Sequence, residues 1–457
     1  MPDPQALGQG SVGPLLLRLS LPAAVGMFVQ ASYTLVDAFF VGWWVGPEGI
    51  AAITMAFPLQ MIIMAMAQAP GVGGASLISR SLGAGRRKRA ERTVGTLFLL
   101  VLGAGLLLGA GGIRWAPLLL RLMGTSPAIL PLAIDYTGAL FYGAPFFAFS
   151  IAANNFVRAE GNASFAMMTM IISAGINTLL DPVFIFAFGW GIRGAALATV
   201  VSQGATALWL GWYYLAGRSV VALRWKHFRL RGRILRESLS VGAAASARQG
   251  AASLSLLVVN GSLAAAGGNY AVAAYGVVNR LLLFAVMPVF GVVQGLLPLV
   301  GFNYGAKQFC RVASAMRLSI AVSTLLCTAG GGVLFFAPEK LVGLFTSAPE
   351  VLRHGRDAAR MLALGMPVVG FQVMASGLFQ AIGKARPSFV LSLLRQVLLL
   401  IPLVLLLAPL RGVSGVWMAF PLADFGAALL TLGLYRKEMG RLRNFCEDAP
   451  PKPSGTA

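Results

Sequence analysis

The chain has 457 residues, of which 57% are hydrophobic and only 11% are charged, whereas soluble domains carry about 45–50% apolar and about 25% charged residues. This composition excludes a soluble globular protein and leaves no room for a large water-soluble domain. The net charge of +21 would suggest a nucleic-acid partner in a soluble chain, so the placement of the basic residues decides its meaning.

Apolar runs separated by loop signals predict an all-α integral membrane protein with twelve membrane-spanning helices, each of about 20 residues or more. No basic segment precedes the first run, so we expect it to be a span rather than a cleaved signal peptide. The predicted spans 1 to 12 cover residues 15–42, 50–77, 93–113, 132–157, 164–187, 194–215, 238–265, 271–300, 314–336, 357–382, 388–409 and 414–434.

The basic residues are distributed unequally between the two sides of these spans. With both termini on one side, that side carries 25 Lys and Arg, among them Arg158 in a loop, and the other side carries 8. The positive-inside rule therefore places both termini in the cytoplasm. This bias explains most of the basic excess, and we expect no nucleic-acid partner.

The two halves of the chain repeat one pattern at a nearly constant offset of 222 residues. Gly83 matches Gly305, and Arg89 matches Arg311. Each repeat holds six spans, so the sequence predicts two six-helix bundles related by a pseudo-two-fold axis along the membrane normal, with substrate bound between them. The predicted parts are an N-terminal lobe (1–217), a basic cytoplasmic linker expected to be solvated (218–237), a C-terminal lobe (238–435) and a cytoplasmic tail (436–457).

Two carboxylates lie inside apolar spans of the first half. Asp37 in span 1 and Asp181 in span 5 each precede the outer end of the span by about five residues, so they lie at similar depth. Ionisable residues are expensive in a membrane and mark functional sites. Gln30 and Tyr33 precede Asp37 at helical spacing, and the three side chains are therefore predicted to share one helix face.

Further polar groups are predicted at the same depth. Asn177 lies one helical turn before Asp181, and Thr199 lies about five residues inside span 6. Such a set of oxygen atoms suits a proton or a small hard cation such as Na⁺, with Asp37 and Asp181 as its acidic ligands. The structural alternative is that each acid only fixes helix packing through local hydrogen bonds.

The charged residues of the second half are mainly basic. Arg395 in span 11 and Asp424 in span 12 lie on adjoining helices, and we expect them to form a structural ion pair. Arg248 and Arg280 have no evident partner in the sequence. They would either bind an anionic group or contact carbonyl groups and water.

Other reactive residues give no sign of catalysis. Cys310, Cys327 and Cys446 lie far apart, which indicates neither a disulfide framework nor a metal cluster. His227 and His354 fall in loops. We find no nucleophile elbow, phosphate-binding loop or paired-cysteine motif, so we expect neither an enzyme nor a bound cofactor.

Six segments of the sequence form a recognisable set. They are, in order, TLVDAFFVG around Asp37, SRSLGAGRRKRAE after span 2, NNFVRAEGNASFAM after span 4, INTLLDPVFIF in span 5, GAALATVVSQ in span 6 and QAIGKARPSF after span 10. Together they resemble the multidrug and toxic compound extrusion (MATE) transporters, and the resemblance covers nearly the whole chain. It is strongest to the prokaryotic branch that has an acidic cation site in the N-terminal lobe.

The resemblance implies roles for individual residues. The cation-coupling site of that branch matches Asp37, Asn177, Asp181 and Thr199. Its helix 1 tyrosine matches Tyr33, and its helix 4 asparagine matches Asn154, or the adjacent Asn155 if the register slips by one residue. With Gln30 from the face of span 1, the substrate cavity is then predicted to contain Gln30, Tyr33 and Asn154.

The predicted function is export of amphipathic, preferentially cationic, organic compounds in exchange for inward H⁺ or Na⁺. We expect a monomer in the plasma membrane of a bacterium or archaeon, with small organic substrates and membrane lipid as its partners. One alternative is a flippase for lipid-linked saccharides, or an exporter of organic anions, that uses Arg248 and Arg280. A membrane enzyme is a second alternative, but it would need a catalytic constellation that the sequence does not contain.

Overall fold

A computed structural model describes residues 4–447, and within this range the chain forms helices and no strand. A 3₁₀ helix, Pro4–Gly8, precedes the first long helix. The α-helices are α1 Val12–Trp44, α2 Pro47–Gly83, α3 Arg87–Leu122, α4 Leu130–Tyr142, α5 Ala144–Ala159, α6 Ala163–Pro182, α7 Gly191–Leu215, α8 Gly232–Gly305, α9 Phe309–Phe336, α10 Pro338–Gly343, α11 Pro349–Ala381, α12 Ala385–Leu393 and α13 Ile401–Glu447.

Eight helical stretches in the described range are long and apolar enough to cross a membrane, or nine if the bent pair α4 and α5 is one span. The helices α8 and α13 each break at a glycine with positive φ, Gly268 (66°) and Gly412 (60°), a conformation that glycine adopts without steric cost. The helix α8 therefore contains predicted spans 7 and 8, whereas α13 contains the end of span 11, which begins in α12, and all of span 12. With α7 as span 6, every predicted span corresponds to a helical segment, and the predicted fold class is confirmed.

The outer surface of these helices suits lipid rather than water. Leu107, Leu208 and Leu429 are 78%, 76% and 72% exposed, which would be unfavourable in an aqueous environment. Lipid offers the backbone no hydrogen-bonding partner, so the spanning segments satisfy their peptide groups internally as helices.

A π-helical turn interrupts the corresponding helix of each half. Val183–Ala187 follows α6 directly after Pro182, and Leu394–Leu400 separates α12 from α13. Proline lacks the backbone donor that continues an α-helix, and π-turns occur frequently at functional sites. Asp181 lies two residues before the first interruption, and Arg395 lies within the second.

The two lobes touch through backbone on the predicted cytoplasmic side. A Cβ atom on Gly73 of α2 would lie 1.8 Å from the carbonyl oxygen of Ser238 in α8, and one on Gly242 would lie 1.7 Å from that of Ala69. No residue larger than glycine fits such an approach without displacing a helix. The halves of the lobes on the predicted cytoplasmic side are therefore closed against each other.

The first residues of the chain pack against the C-terminal lobe. The side chain of Asn303 donates to the carbonyl oxygen of Leu7 at 2.9 Å, and Arg311 Nη1 donates to that of Gly10 at 2.7 Å. Leu16 in the first turns of α1 belongs to a core cluster formed mainly by residues of the C-terminal lobe. The segment 1–217 thus does not pack as a single lobe.

The linker 218–237 is more ordered than the solvated connector that we expected. Gly232 already begins α8, Val221 is fully buried, and the hydroxyl of Thr96 in α3 donates to the carbonyl oxygen of Arg229 at 2.8 Å. Glu237 forms an ion pair with Arg89 at 2.5 Å. The linker is therefore bound to the N-terminal lobe, on the predicted cytoplasmic side. Of the predicted tail, 436–447 continues α13, and 448–457 lies outside the described residues.

Two of the three cysteines are paired, although their spacing in the sequence gives no indication of a disulfide. Cys310 at the start of α9 and Cys446 near the end of α13 form a disulfide, with 5.3 Å between their Cα atoms. The two positions are 136 residues apart in sequence, but both helices reach the same corner of the C-terminal lobe, on the predicted cytoplasmic side. Cys327 is buried and free.

Candidate cation site and substrate cavity

The helix α6 presents two polar side chains one turn apart toward α7. Asp181 is fully buried, and Asn177 is 1% exposed. The amide nitrogen of Asn177 donates to Oδ1 of Asp181 and to the hydroxyl oxygen of Thr199 in α7, both at 3.3 Å. The structure therefore brings these three predicted residues into direct contact.

Asp37 reaches the same region from α1. It is 8% exposed and close enough to Asp181 and Tyr33 to act on both electrostatically. Sequence reasoning missed one more neighbour, Tyr136 of α4, which is 4% exposed and lies within electrostatic range of both acids. A tyrosine in an apolar run carries no sequence signal that separates it from ordinary packing, so only the placement of α4 reveals it.

Three oxygen atoms of this cluster are buried and lack a hydrogen-bond donor among the described residues: Asp37 Oδ1, Asp181 Oδ2 and Asn177 Oδ1. A buried acceptor without a donor is costly, and two neighbouring carboxylates favour uptake of a positive charge. The set fits a proton on either carboxylate. It equally fits a small cation held by the two acids together with the oxygen atoms of Asn177 and Thr199.

Transition metals fit this donor set less well. No group of three or more His, Cys, Asp or Glu side chains that would hold a metal ion occurs in the described range. The cluster offers only hard oxygen ligands, which suit alkali and alkaline-earth ions better than softer metals.

A cavity of about 350 Å³ lies beside the cluster, mainly within the N-terminal lobe. Gln30 and Asn154 line it as predicted, and so does Asn155. Tyr33 is not a lining residue, but its hydroxyl oxygen accepts a hydrogen bond from Gln30 Nε2 at 2.9 Å. Because Tyr33 also interacts with Asp37, the pair of Gln30 and Tyr33 links the cavity to the acids.

The cavity lining combines amides with flexible apolar side chains. Amides supply both hydrogen-bond donors and acceptors, and methionine adapts its shape to different apolar groups. Oδ1 of Asn154 is buried without a donor, whereas its amide nitrogen bonds to Ala166 and Thr169. The remaining amide residues are Gln68, Gln203 and Gln294, and the methionines are Met27, Met64, Met170 and Met287.

The placement of Arg158 in a cytoplasmic loop is wrong. Arg158 belongs to the last turn of α5, is 8% exposed and lines the cavity. Sequence places it near a span end, where basic residues commonly face the cytoplasm, but the side chain turns inward and Nη2 donates to Asn155 Oδ1 at 3.2 Å. It therefore contributes charge to the cavity rather than to the membrane surface.

The charged residues singled out in the second half of the sequence form one ion pair and leave two arginines without a partner among the described residues. Arg395 and Asp424 are in contact, with Nη2 3.4 Å from Oδ2 and a second bond from Nε. Asp424 is 2% exposed, and Gly365 leaves the space that its carboxylate occupies. Arg248 and Arg280 are exposed, do not line the cavity, and have no hydrogen bond or ion pair within residues 4–447.

Comparison with known proteins places this architecture in one family. The sequence profile of the MatE family matches residues 22–183 and 249–406, one segment in each half. The multidrug export protein MepA of Staphylococcus aureus is 27% identical over 419 residues, which cover 91% of this chain and 92% of that protein.

Solved structures agree over almost the full length of the chain. An outward-facing multidrug resistance MATE transporter superposes with a TM-score of 0.92 at 28% identity, covering 97% of this chain and 99% of the other. A MOP superfamily transporter from Pyrococcus furiosus gives 0.91 at 28% identity, with the same coverage. The chain therefore belongs to the MatE family and is a MATE membrane transporter rather than an enzyme.

Proposed function

We propose that this protein is a plasma-membrane antiporter that exports amphipathic organic compounds in exchange for an inward-moving cation, H⁺ or Na⁺. The observation that carries the proposal is the group of three buried oxygen atoms without donors on Asp37, Asp181 and Asn177. A bacterial or archaeal membrane with both chain termini in the cytoplasm is consistent with the distribution of basic residues.

The coupling follows from electrostatics. In the outward-facing state a cation neutralises the two acids. The loss of negative charge alters the hydrogen bond between Tyr33 and Gln30, and Gln30 lines the cavity. Bound compound is then released outward. The lobes then rock and return the cation to the cytoplasm. One charge that crosses about 150 mV provides about 3.5 kcal/mol, which sustains a concentration ratio of about 300-fold.

The lining of the cavity supports amphipathic substrates, because amides and methionines accept varied polar and apolar groups. The relationship to MepA, a multidrug export protein, supports the same class. We expect cationic compounds among the substrates, since two acids lie next to the cavity, and we expect the monomer to be sufficient for transport. The alternative that relies on Arg248 and Arg280 finds no support in the cavity, because neither residue lines it.

The test is efflux from proteoliposomes under imposed pH or Na⁺ gradients. We expect Asp37→Asn and Asp181→Asn each to reduce gradient-driven transport more than 10-fold, because an amide neither binds a proton nor carries the charge that attracts a cation. Asp135→Asn is the matched control, since this carboxylate lies on α4 beside Tyr136 but is exposed. Retained coupling in both site variants would refute the proposal, and the gradient that drives wild-type efflux identifies the ion.

A further inference from the structure

The cavity contains one charged side chain, and that charge is positive. Among the cavity-lining residues of the described chain, Arg158 alone is ionisable. No carboxylate within residues 4–447 forms an ion pair with it, and its Nε is buried without a hydrogen-bond partner. Among the described residues its one side-chain partner is Asn155, whose Oδ1 accepts from Nη2 at 3.2 Å.

The acids nearest in sequence and function do not contact Arg158. Glu160, two residues along, accepts hydrogen bonds from Ser219 at 2.8 Å, from the backbone of Val220 at 3.1 Å and from Tyr213 at 3.2 Å. Asp37 and Asp181 do not line the cavity. The carbonyl groups at the end of α5 attract a cation, but they provide no full negative charge.

A buried cation without a counterion is unfavourable, and an incoming anion relieves that penalty. The guanidinium group offers several donors in a planar arrangement that matches carboxylate, sulfonate and phosphate oxygens. Asn155 orients the group, and Gln294 from the C-terminal lobe lines the same part of the cavity. A compound bound there would therefore contact both lobes.

We propose that Arg158 binds an anionic oxygen group of the transported compound, so that the cavity favours amphiphiles carrying a carboxylate, sulfonate or phosphate, including zwitterions, over otherwise matched neutral compounds. The inference rests on the proposed function in one respect, namely that this cavity holds the substrate. It adds a specificity-determining residue on the N-terminal lobe, at the cytoplasmic end of α5.

The test uses two fluorescent probes that differ by one sulfonate. They are 8-anilinonaphthalene-1-sulfonate and its uncharged parent, N-phenyl-1-naphthylamine. Binding is measured on the full-length protein in nanodiscs, with empty nanodiscs subtracted for lipid partitioning. We expect Arg158→Gln and Arg158→Met to weaken binding of the sulfonate probe at least 10-fold while they change binding of the neutral probe less than 2-fold. Arg158→Lys should retain part of the preference.

A purely structural role for Arg158 makes a different prediction. If the residue only stabilises the end of α5, both probes should lose affinity together, and that result would overturn the proposal, as would unchanged binding of both. Should the Gln and Met variants fail to fold, Asn155→Ala keeps the charge but removes its orienting partner, and we expect it to lower the preference for the sulfonate probe. No preference for that probe in the wild-type protein would also refute the inference.

The coupling mechanism and the anion site at Arg158 can be refuted independently of each other. Loss of gradient-driven transport in Asp181→Asn, with no effect of Arg158 on the probe preference, would leave the coupling mechanism standing and remove the anion site. Retained coupling in both Asp variants, together with an Arg158-dependent sulfonate preference, would leave the binding site and remove the coupling mechanism.

Discussion

The hydroxyl of Ser76 in α2 donates a hydrogen bond of 2.6 Å to the backbone carbonyl oxygen of Gln380 in α11, which joins the two lobes on the predicted cytoplasmic side. The same hydroxyl lies 3.1 Å from the carbonyl oxygen of Ala381. Under the proposed rocking of the lobes this contact must break once in each cycle, so we predict that it belongs to a gate on the predicted cytoplasmic side.

Covalent closure of this gate should stop transport. In a background with Cys310, Cys327 and Cys446 changed to Ser, we expect a short thiol cross-linker to join cysteines introduced at Ser76 and Ala381. Efflux should fall more than 10-fold on cross-linking and return when a reducible linker is cleaved. Cross-linked Thr96→Cys and Arg229→Cys, which join α3 to the linker without bridging the lobes, should remain active. Full activity of the cross-linked gate pair would show that the contact does not open.

The glycine contacts allow a complementary experiment. Valine at Gly73 would overlap the carbonyl oxygen of Ser238, and overpacking of this kind costs about 1–3 kcal/mol. Because the overlap exists only when the lobes are closed, Gly73→Val should favour the inward-open state by about 10-fold.

The measurement is the rate at which a cytoplasmic maleimide labels a cysteine placed at Ala381, which is fully buried in the closed state. Gly103→Val is the control, because a Cβ atom there meets nothing within 4 Å. An unchanged labelling rate in folded Gly73→Val would argue against an opening of the lobes at this interface.

The loop between α5 and α6 should make stability depend on pH. Burial raises the pKa of Glu160 from 4.5 to about 7, although hydrogen bonds from Ser219, Val220 and Tyr213 favour its charged form. The folded protein therefore holds this proton more tightly than the unfolded chain does. The contribution of Glu160 to the free energy of unfolding is therefore greatest below about pH 4.5. It declines as the pH rises to about 7, by at most about 3 kcal/mol.

Glu160→Gln should remove this dependence, because glutamine is neutral throughout. Thermal unfolding between pH 4.5 and 8 measures the effect, and we expect the variant to be more stable than the wild type at pH 8. Glu350→Gln, at an exposed position, should leave the pH profile unchanged. A wild-type profile retained in Glu160→Gln would assign the pH dependence to other groups.

The ion pair of Arg395 and Asp424 should be structural. Asp424→Asn leaves a guanidinium group without its counterion, and breaking a buried pair costs about 3–5 kcal/mol, with a smaller value expected here because Arg395 is partly exposed. We expect a lower melting temperature, and the double variant Arg395→Leu, Asp424→Leu should recover part of it. Equal melting temperatures for the wild type and Asp424→Asn would contradict this role.

The number of spans and the fold class could be predicted from sequence, because a segment in lipid must form all its backbone hydrogen bonds internally. Each sufficiently long apolar run was therefore assigned as a membrane-spanning helix. The two acids could also be identified from sequence, since Asp37 and Asp181 are carboxylates in otherwise apolar segments. Asn177 and Thr199 could be added because helical spacing and depth are counted directly from sequence. Their functional roles are still predictions.

Other features depend on how the helices rotate and pack. Arg158 lies at a helix end, where its side chain turns either to solvent or to the interior, and sequence does not specify which. Tyr136 is indistinguishable from a packing residue until α4 is placed beside α1 and α6. Cys310 and Cys446 form a disulfide because the start of α9 and the end of α13 lie at the same corner of the C-terminal lobe. A separation of 136 residues in the sequence does not indicate this proximity.

The attachment of the N-terminal segment to Asn303 and Arg311 affects how the transporter moves. The segment before α1 is hydrogen-bonded to the C-terminal lobe, whereas Asp37, farther along the helix, lies in the N-terminal lobe. The helix α1 therefore crosses the interface between the two lobes. Any rotation of the lobes must bend this helix, detach its anchor or shift Asp37 relative to Asp181. If the proposed cation binds at Asp37, the backbone of α1 would therefore link the cation site to the C-terminal lobe, in addition to the side-chain link through Tyr33 and Gln30.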